Sequence, residues 1–183
     1  VAIIGTGASV KNVRLEKIRE EGLKIVCIND AVRLFDDFDL HYAADFEWWI
    51  NYFSYNAISN LNKRYTCNKV ASHVYHLRYV EVVQDDLFSN QPGIVSSGGN
   101  SAFQAFNLCL QFGAREFYFF GLDMGGAHFF GERDAKFKSA SASDYELIAA
   151  RFNYAIDNYK EELKIYNCSY ASNLRGIPCE RFV

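Results

Sequence analysis

Short apolar runs alternate with segments of helical periodicity along most of this chain, and this alternation limits the folds open to it. Each apolar run predicts a buried strand. These runs cover residues 1–4, 24–28, 40–44, 116–120 and 163–166. The intervening helical segments cover residues 13–21, 46–61, 99–112 and 144–162. Strands alternating with helices are typical of a parallel sheet with helices on both faces, so we predict a Rossmann-like α/β fold with a mostly parallel sheet.

The stretch between residues 64 and 95 is less regular than the rest of the chain. Its β-branched and aromatic residues predict strands at 65–67 and 74–77. The segment 80–88 fits neither pattern clearly. His73 and His76 fall at the second of these predicted strands, so we interpret both as structural residues.

Composition and charge narrow the classes of function. The chain has 183 residues, half of them hydrophobic, which fits one folded domain over residues 1–183. The formal net charge is -3, so we do not expect nucleic acid as a partner, because such a surface needs a concentrated basic face. No apolar run approaches the ~20 residues of a transmembrane helix, so we expect no transmembrane segment. The oligomeric state is left open by the sequence.

The cysteines are odd in number and widely spaced, and they contain no C-x-x-C pair. They are Cys27, Cys67, Cys109, Cys168 and Cys179. A disulfide framework or a zinc knuckle is therefore not expected, and a reducing cytoplasm is the simplest setting. We predict a cytoplasmic location and ordinary buried thiols.

Ligands of open α/β sheets bind at the carboxyl ends of the strands, so the residues after each strand are the candidate site. G-T-G-A-S follows the first strand and contains Gly5, Thr6, Gly7 and Ser9. Glycines there let the backbone approach a phosphate, and the following amides can point at it. The alternative is a tight strand-to-helix turn that holds no ligand.

A dinucleotide site is a second alternative for the same turn. The fingerprint G-x-G-x-x-G is incomplete, because Val10 occupies the third glycine position. Asp30 lies where a ribose-binding acid would sit, which keeps an NAD site open. No G-K-[ST] sequence follows a strand, so a P-loop is not expected.

A second polar cluster, S-S-G-G-N at 96–100, opens the helix predicted at 99–112. Ser97, Gly98, Gly99 and Asn100 offer hydroxyl, amide and backbone groups at a helix N-terminus, where the helix dipole favours anions. Ser97 or Asn100 could instead be a simple N-cap. A single cap needs neither two glycines nor the additional polar groups, so we favour an anion site.

Acidic and imidazole side chains follow the strand at 116–120. Asp123 comes three residues after its end, and His128 lies five residues further on in a glycine-rich stretch. Asp123 is placed to contact a ribose, a metal or an acceptor hydroxyl, and His128 is a candidate general base. A solvated or capping histidine is the alternative. Asn29 and Asp45 follow the second and third strands and complete the candidate site.

Four motifs occur in order along the chain: G-T-G-A-S at Gly5, C-I-N at Cys27, S-S-G-G at Ser96 and G-A-R-E-F-Y-F-F-G-L-D at Gly113. Taken together, they resemble the single-domain bacterial sialyltransferases that use CMP-sialic acid. They are similar also to a wider uncharacterised family that includes the archaeal 6-hydroxymethylpterin diphosphokinase. The resemblance spans most of the chain.

The resemblance implies a glycosyltransferase-like enzyme that uses a nucleotide-activated sugar and no separate cofactor, with CMP-sialic acid as the leading donor. It implies that Gly7, Ser9, Asn29, Ser97 and Gly98 line the nucleotide site. By the same resemblance Asp123 lies near the nucleotide or acceptor, and His128 deprotonates the acceptor hydroxyl in an inverting, metal-independent transfer. Residues 124–143 correspond to a short lid-like segment.

The chain departs from the sialyltransferase pattern at several positions. Thr6 and Asp45 stand where asparagines are usual, and residues 124–126 replace the tyrosines that hold the leaving phosphate. One alternative is a diphosphokinase, using ATP and Mg²⁺ held by Asp45 and Asp123. The other is a non-catalytic module that binds a nucleotide or nucleotide sugar.

Overall fold

The structure, a computed structural model, describes residues 1–52, 61–131, 140–170 and 172–182. Its strands are β1 (Ala2–Ile4), β2 (Ile25–Ile28), β3 (Leu40–Tyr42), β4 (Arg64–Thr66), β5 (Arg78–Tyr79), β6 (Glu81–Val83), β7 (Ile94–Ser96), β8 (Glu116–Phe120), β9 (Lys164–Asn167) and β10 (Ile177–Pro178). Its α-helices are α1 (Leu15–Glu20), α2 (Phe46–Tyr52), α3 (Lys69–Tyr75), α4 (Ser101–Gln111) and α5 (Ala142–Asn158). Short 3-10 turns cover Ala8–Asn12, Asn29–Leu34 and Leu61–Lys63.

Eight strands form one sheet in the order β10-β9-β8-β1-β2-β3-β4-β5, and each of its neighbouring pairs is parallel. From β1 the chain builds outward to β5, then returns to place β8 on the other side of β1. The strand order therefore reverses between β1 and β8, and this switch point is where open α/β sheets bind ligands. The prediction of an α/β fold with a mostly parallel sheet is confirmed.

Apolar side chains on the two faces of the sheet pack into two separate cores. Ile3 faces a core that contains α4 and α5, whereas Ala2 and Ile4 face a core with α1, α2 and α3. This alternation follows from the two-residue period of a strand. Because both faces are covered, the central strands consist almost entirely of apolar residues. The carboxyl edge of the sheet is left for polar residues.

The strand predicted at 74–77 is wrong, because this segment ends a helix. Asn68 caps α3 by accepting a hydrogen bond from the Ala71 amide at 2.9 Å, which favours the helical turn. His73 lies within α3, and His76 forms its C-terminal cap with φ of 54°. The valines and tyrosine suggested a strand, but the asparagine cap and tertiary packing determine the local structure.

Two other segments refine the sequence predictions. Part of the unassigned stretch 80–88 forms β6, which pairs in parallel with β7 in a separate two-stranded sheet. The helix predicted at 46–61 begins at Phe46 as expected, but residues 53–60 lie outside the described residues. Across the described chain, the helices are all too short or too polar to cross a membrane.

Candidate functional site

A cleft of about 540 Å³ opens at the carboxyl edge of the sheet, at the switch point between β1 and β8. Its walls come from the turns after β1, β2 and β8, the start of α4 and one face of α5. Most of the predicted site residues line it, namely Gly5, Thr6, Gly7, Asn29, Asp45, Ser97, Gly99, Asn100, Asp123 and His128. Ser9 and Gly98 do not line this cleft. The topology thus gathers residues that are far apart in sequence.

The turn after β1 uses its backbone amides for hydrogen bonds within the protein. The Gly7 amide donates to the Gly121 carbonyl at 2.8 Å, and the Ala8 amide donates to the Ala127 carbonyl at 3.0 Å. The amide of Ser9 donates to the Asp123 carboxylate at 2.9 Å, and the Ser9 hydroxyl donates to the same carboxylate. These amides therefore do not point at the cleft as a phosphate cradle would require.

Gly7 is a glycine because of the Asp123 carboxylate beside it. Its backbone angles, φ of -63° and ψ of 153°, suit any residue. A Cβ atom there would overlap the Asp123 carboxylate. The glycine thus lets Asp123 approach the turn, and Asp123 is an internal acceptor that fixes this wall of the cleft.

His128 is held against the same turn. Its Nδ1 atom lies 3.0 Å from the Thr6 hydroxyl oxygen, and the two share a hydrogen bond. Backbone bridging between His128 and Gly7, together with the bond from the Phe129 amide to the Thr6 carbonyl at 2.9 Å, fixes the segment. The imidazole stacks on Phe130 with ring centroids 4.9 Å apart. With Nδ1 committed to Thr6, proton transfer by His128 would use Nε2.

The start of α4 forms the opposite wall. Asn100 is its N-cap and accepts a hydrogen bond from the Phe103 amide at 2.9 Å. The amides of Ser101 and Ala102 belong to the first helical turn, which has no intrahelical acceptors, and both residues line the cleft. The alternative of an N-cap is therefore correct for Asn100, and residues of the first turn of α4 form this wall of the cleft.

The two glycines before α4 have different neighbours. Gly98 and Gly99 have φ of 50° and 82°, in the left-handed region that favours glycine. The Cβ position of Gly98 is filled by the Phe103 ring, and Gly98 lines a neighbouring cavity with Asp86 and Tyr154. The Cβ position of Gly99 lies 2.8 Å from the Arg151 guanidinium. Gly99, not Gly98, therefore brings the backbone next to a cation at the cleft.

Arg151 is a cleft residue that the sequence predictions did not include. It lies on α5 and pairs with Asp86 through an Nε–Oδ1 distance of 3.1 Å, with one third of its side chain exposed. Asp144, Leu147, Ile148 and Arg151 all line the cleft. They recur every three or four residues, so they share one face of α5. Two charged residues in this stripe were the sequence signal for the missed wall.

The turn after β2 supplies a strained polar residue. Asn29 has φ of 49°, which is uncommon outside glycine, and it lines the cleft. Among the described residues, its Oδ1 atom is buried and makes no hydrogen bond. Asp30, the candidate ribose acid, is buried and accepts a hydrogen bond from the Trp48 indole at 3.0 Å. Asp30 also pairs with Arg33, so its carboxylate already has partners within the protein.

The described part of the predicted lid and the candidate metal ligands both lie at the cleft. Residues 124–131 of the predicted lid fold back along the first turn, and residues 132–139 lie outside the described residues, so the lid stays a prediction. Across the part of the chain that the structure describes, no three His, Cys, Asp or Glu side chains are grouped so that they could hold a metal ion. Asp45 is exposed at the rim of the cleft.

Fold and site together define an α/β protein with a parallel sheet and a polar cleft at its topological switch point. No family model matches this chain, and neither a curated protein nor a solved structure matches it significantly.

Proposed function

We propose that this protein is a glycosyltransferase-like enzyme that binds a nucleotide-activated sugar in the switch-point cleft, with CMP-sialic acid as the leading donor. One observation carries the proposal: the Arg151 guanidinium lies beside Gly99, next to the N-terminus of α4, and all of these line the cleft. A guanidinium and a helix N-terminus both favour an anion, and their shared position suits a phosphate. The motifs at Gly5, Cys27, Ser96 and Gly113 support the same class.

The opposite wall supplies the chemistry in this proposal. The acceptor hydroxyl gives its proton to Nε2 of His128 while its oxygen forms the new glycosidic bond. The bond between the sugar and the phosphate oxygen breaks, and the nucleotide leaves with the electron pair. Thr6 orients the imidazole through Nδ1, and Asp123 holds the turn that carries Thr6.

Arg151 takes over a task that tyrosines perform in the sialyltransferases that the chain resembles. Residues 124–126 do not offer tyrosines to the leaving phosphate. Negative charge grows on that phosphate as the nucleotide departs, and a nearby guanidinium stabilises it. In this proposal the donor phosphate binds at the α4 wall and the acceptor binds at the His128 wall.

Calorimetric titration of the full chain with CMP, CDP, UDP, ATP and NAD, each with and without Mg²⁺, tests the proposal. We expect a pyrimidine nucleotide to bind best and without Mg²⁺. Arg151→Gln should weaken that binding by about 10- to 100-fold, because a hydrogen bond to a charged group contributes roughly 1.5–3 kcal/mol. Arg175→Gln is the matched control, because Arg175 also forms an ion pair, with Asp157, and does not line the cleft.

Each other result points elsewhere. Mg²⁺-dependent binding of ATP alone would support the diphosphokinase, with Asp45 and Asp123 as the metal ligands. Preference for NAD would support the dinucleotide site. Tight nucleotide binding without donor hydrolysis or transfer would support the non-catalytic binding module. Equal nucleotide affinity in Arg151→Gln and wild type would show that the phosphate does not bind at the α4 wall.

A further inference from the structure

The C-terminal part of the chain brings two cysteines together on neighbouring strands. Cys168 directly follows β9, and Cys179 directly follows β10. The parallel register sets Pro178 opposite Asn167, and the Cys179 amide donates to the Asn167 carbonyl at 3.0 Å. The two cysteines are therefore the next opposed pair in the same register.

Their side chains share one face of the sheet. Both pack against the hydrophobic core that contains α1, α2 and α3. Burial is the main cause that raises the pKa of the Cys168 thiol, and the neighbouring Cys179 raises it further. The Cys168 thiol donates weakly to the Tyr166 carbonyl at 3.9 Å. Neighbouring strands lie about 4.7–4.9 Å apart. That spacing falls within the range of about 4.4–6.8 Å between the Cα atoms of a disulfide.

The other cysteines have different surroundings. Cys27 and Cys109 are buried in the cores on opposite faces of the sheet. Cys67 is half-buried, and its thiol donates weakly to the Ala44 carbonyl at 4.0 Å. Cys179 is half-buried as well. Solvent can therefore reach the Cys179 thiol, which lies opposite Cys168.

We propose that Cys168 and Cys179 form a thiol-oxidation site, which closes reversibly to an intramolecular disulfide with a small disulfide of the glutathione class as oxidant. The Cys179 thiol loses its proton to solvent, and its sulfur attacks the oxidant, releasing one small thiolate and leaving a mixed disulfide. Cys168 then loses its proton, and its sulfur attacks the Cys179 sulfur and releases the second small thiolate. The two protein thiols are oxidised by two electrons, and the oxidant is reduced to two thiols.

The bond would fix the segment that follows β10 to the sheet. Phe182 is fully buried against Tyr118 and Phe120, and its carbonyl accepts a hydrogen bond from the Arg14 amide at 2.9 Å. The segment that carries Cys179 therefore connects β10 to the helix-covered face near α1. A disulfide at Cys179 restrains that segment in the unfolded chain, so the oxidised protein should melt at a higher temperature than the reduced one.

Treatment of the full chain with oxidised glutathione, followed by denaturation and thiol counting, tests this proposal. We expect three reactive thiols in place of the five cysteines of the reduced chain. Trypsin cleaves after Lys164, Arg175 and Arg181 and so separates the two cysteines. Non-reducing mass spectrometry should then find peptide 165–175 joined to peptide 176–181, and a reductant should separate them.

Two single variants provide the controls. Cys179→Ser should abolish both the joined peptides and the rise in melting temperature. Cys67→Ser, which removes the other half-buried thiol, should keep both. Five thiols surviving in the wild type would overturn the proposal. Loss of thiols through a different pairing, or through a disulfide between two chains, would overturn it as well.

Discussion

At the residue scale, the cleft is built from side chains that position one another. Thr6 fixes one nitrogen of His128, and Ser9 fixes the carboxylate of Asp123. Gly7 lets that carboxylate approach the turn. These contacts give the glycine-rich motif a structural role as well as a place in the site. They also give two different roles: Thr6 orients the imidazole, and His128 carries it.

The two roles lead to a prediction about substitutions of His128 and Thr6. Under the proposed mechanism, His128→Ala should lower the rate of donor hydrolysis or transfer by ~10²–10⁴, because a general base contributes about that much. Nucleotide affinity should change little, since the donor phosphate is placed at the opposite wall. Thr6→Val keeps the shape of the side chain but removes the hydroxyl, so it should lower the rate to a smaller extent.

Thr6→Ser is the matched control, because serine keeps a hydroxyl for Nδ1 of His128 and should retain most of the rate. Rates for all three variants should be compared with nucleotide affinities from titration. A His128→Ala variant with the wild-type rate would remove the imidazole from the mechanism. A Thr6→Ser variant as slow as Thr6→Val would mean that the hydrogen bond to His128 does not matter.

At the scale of single elements, local sequence signals identified some segments well and others poorly. The run E-F-Y-F-F predicted the strand over 116–120, and β8 has these same bounds. A buried central strand is apolar throughout, so its sequence is distinctive. The seven-residue α3 buries only Ala71, so it carries no long apolar stripe and its valines favoured a strand. Its asparagine cap was the stronger signal.

The asparagine caps of α4 and α3 allow a matched comparison. Asn100 and Asn68 each accept a hydrogen bond from the amide three residues on, at 2.9 Å in both cases. Asn100→Ala and Asn68→Ala should each lower the free energy of unfolding by about 1 kcal/mol, as measured by urea denaturation. Only Asn100→Ala should also weaken nucleotide binding, because only α4 begins at the cleft.

Titration of both variants with the best nucleotide completes that comparison. Equal affinities in the two variants would show that α4 does not hold the ligand. A loss of affinity in Asn68→Ala as large as that in Asn100→Ala would point to a general effect of destabilisation instead.

At the scale of the whole molecule, the sheet order determines which residues meet. Strand-helix alternation was enough to predict the fold class, and the rule about strand ends placed most of the candidate residues at one edge. Arg151 was missed because it lies within a helix, far in sequence from β1, and only the tertiary packing of α5 brings it to Gly99. The hydrogen bonds that occupy the amides of the turn after β1 were missed for the same reason.

The packing of the sheet also buries a histidine that should make stability depend on pH. His41 on β3 is fully buried, and burial together with the nearby Arg64 charge lowers its pKa to about 3 from the usual 6.5. A hydrogen bond to the Asn29 carbonyl acts in the opposite direction without reversing the shift. The ring lies among aromatic side chains, with Trp48 at 4.9 Å and Trp49 at 5.3 Å between ring centroids.

Between pH 6.5 and pH 3 the unfolded chain therefore binds a proton at His41 that the folded chain does not. The unfolded state gains stability as the pH falls through that window, so the free energy of unfolding should drop by roughly 1.4 kcal/mol per pH unit below pH 6.5. Urea denaturation at pH 7, 6 and 5 measures this slope.

His41→Gln removes the titrating group and should flatten the dependence of stability on pH, whatever its effect on stability at pH 7. His73→Gln, on the exposed side of α3, is the control and should keep the wild-type slope. A slope that persists in His41→Gln would assign the acid sensitivity to other groups, and a wild-type stability that does not change between pH 7 and pH 5 would contradict the burial of a neutral imidazole.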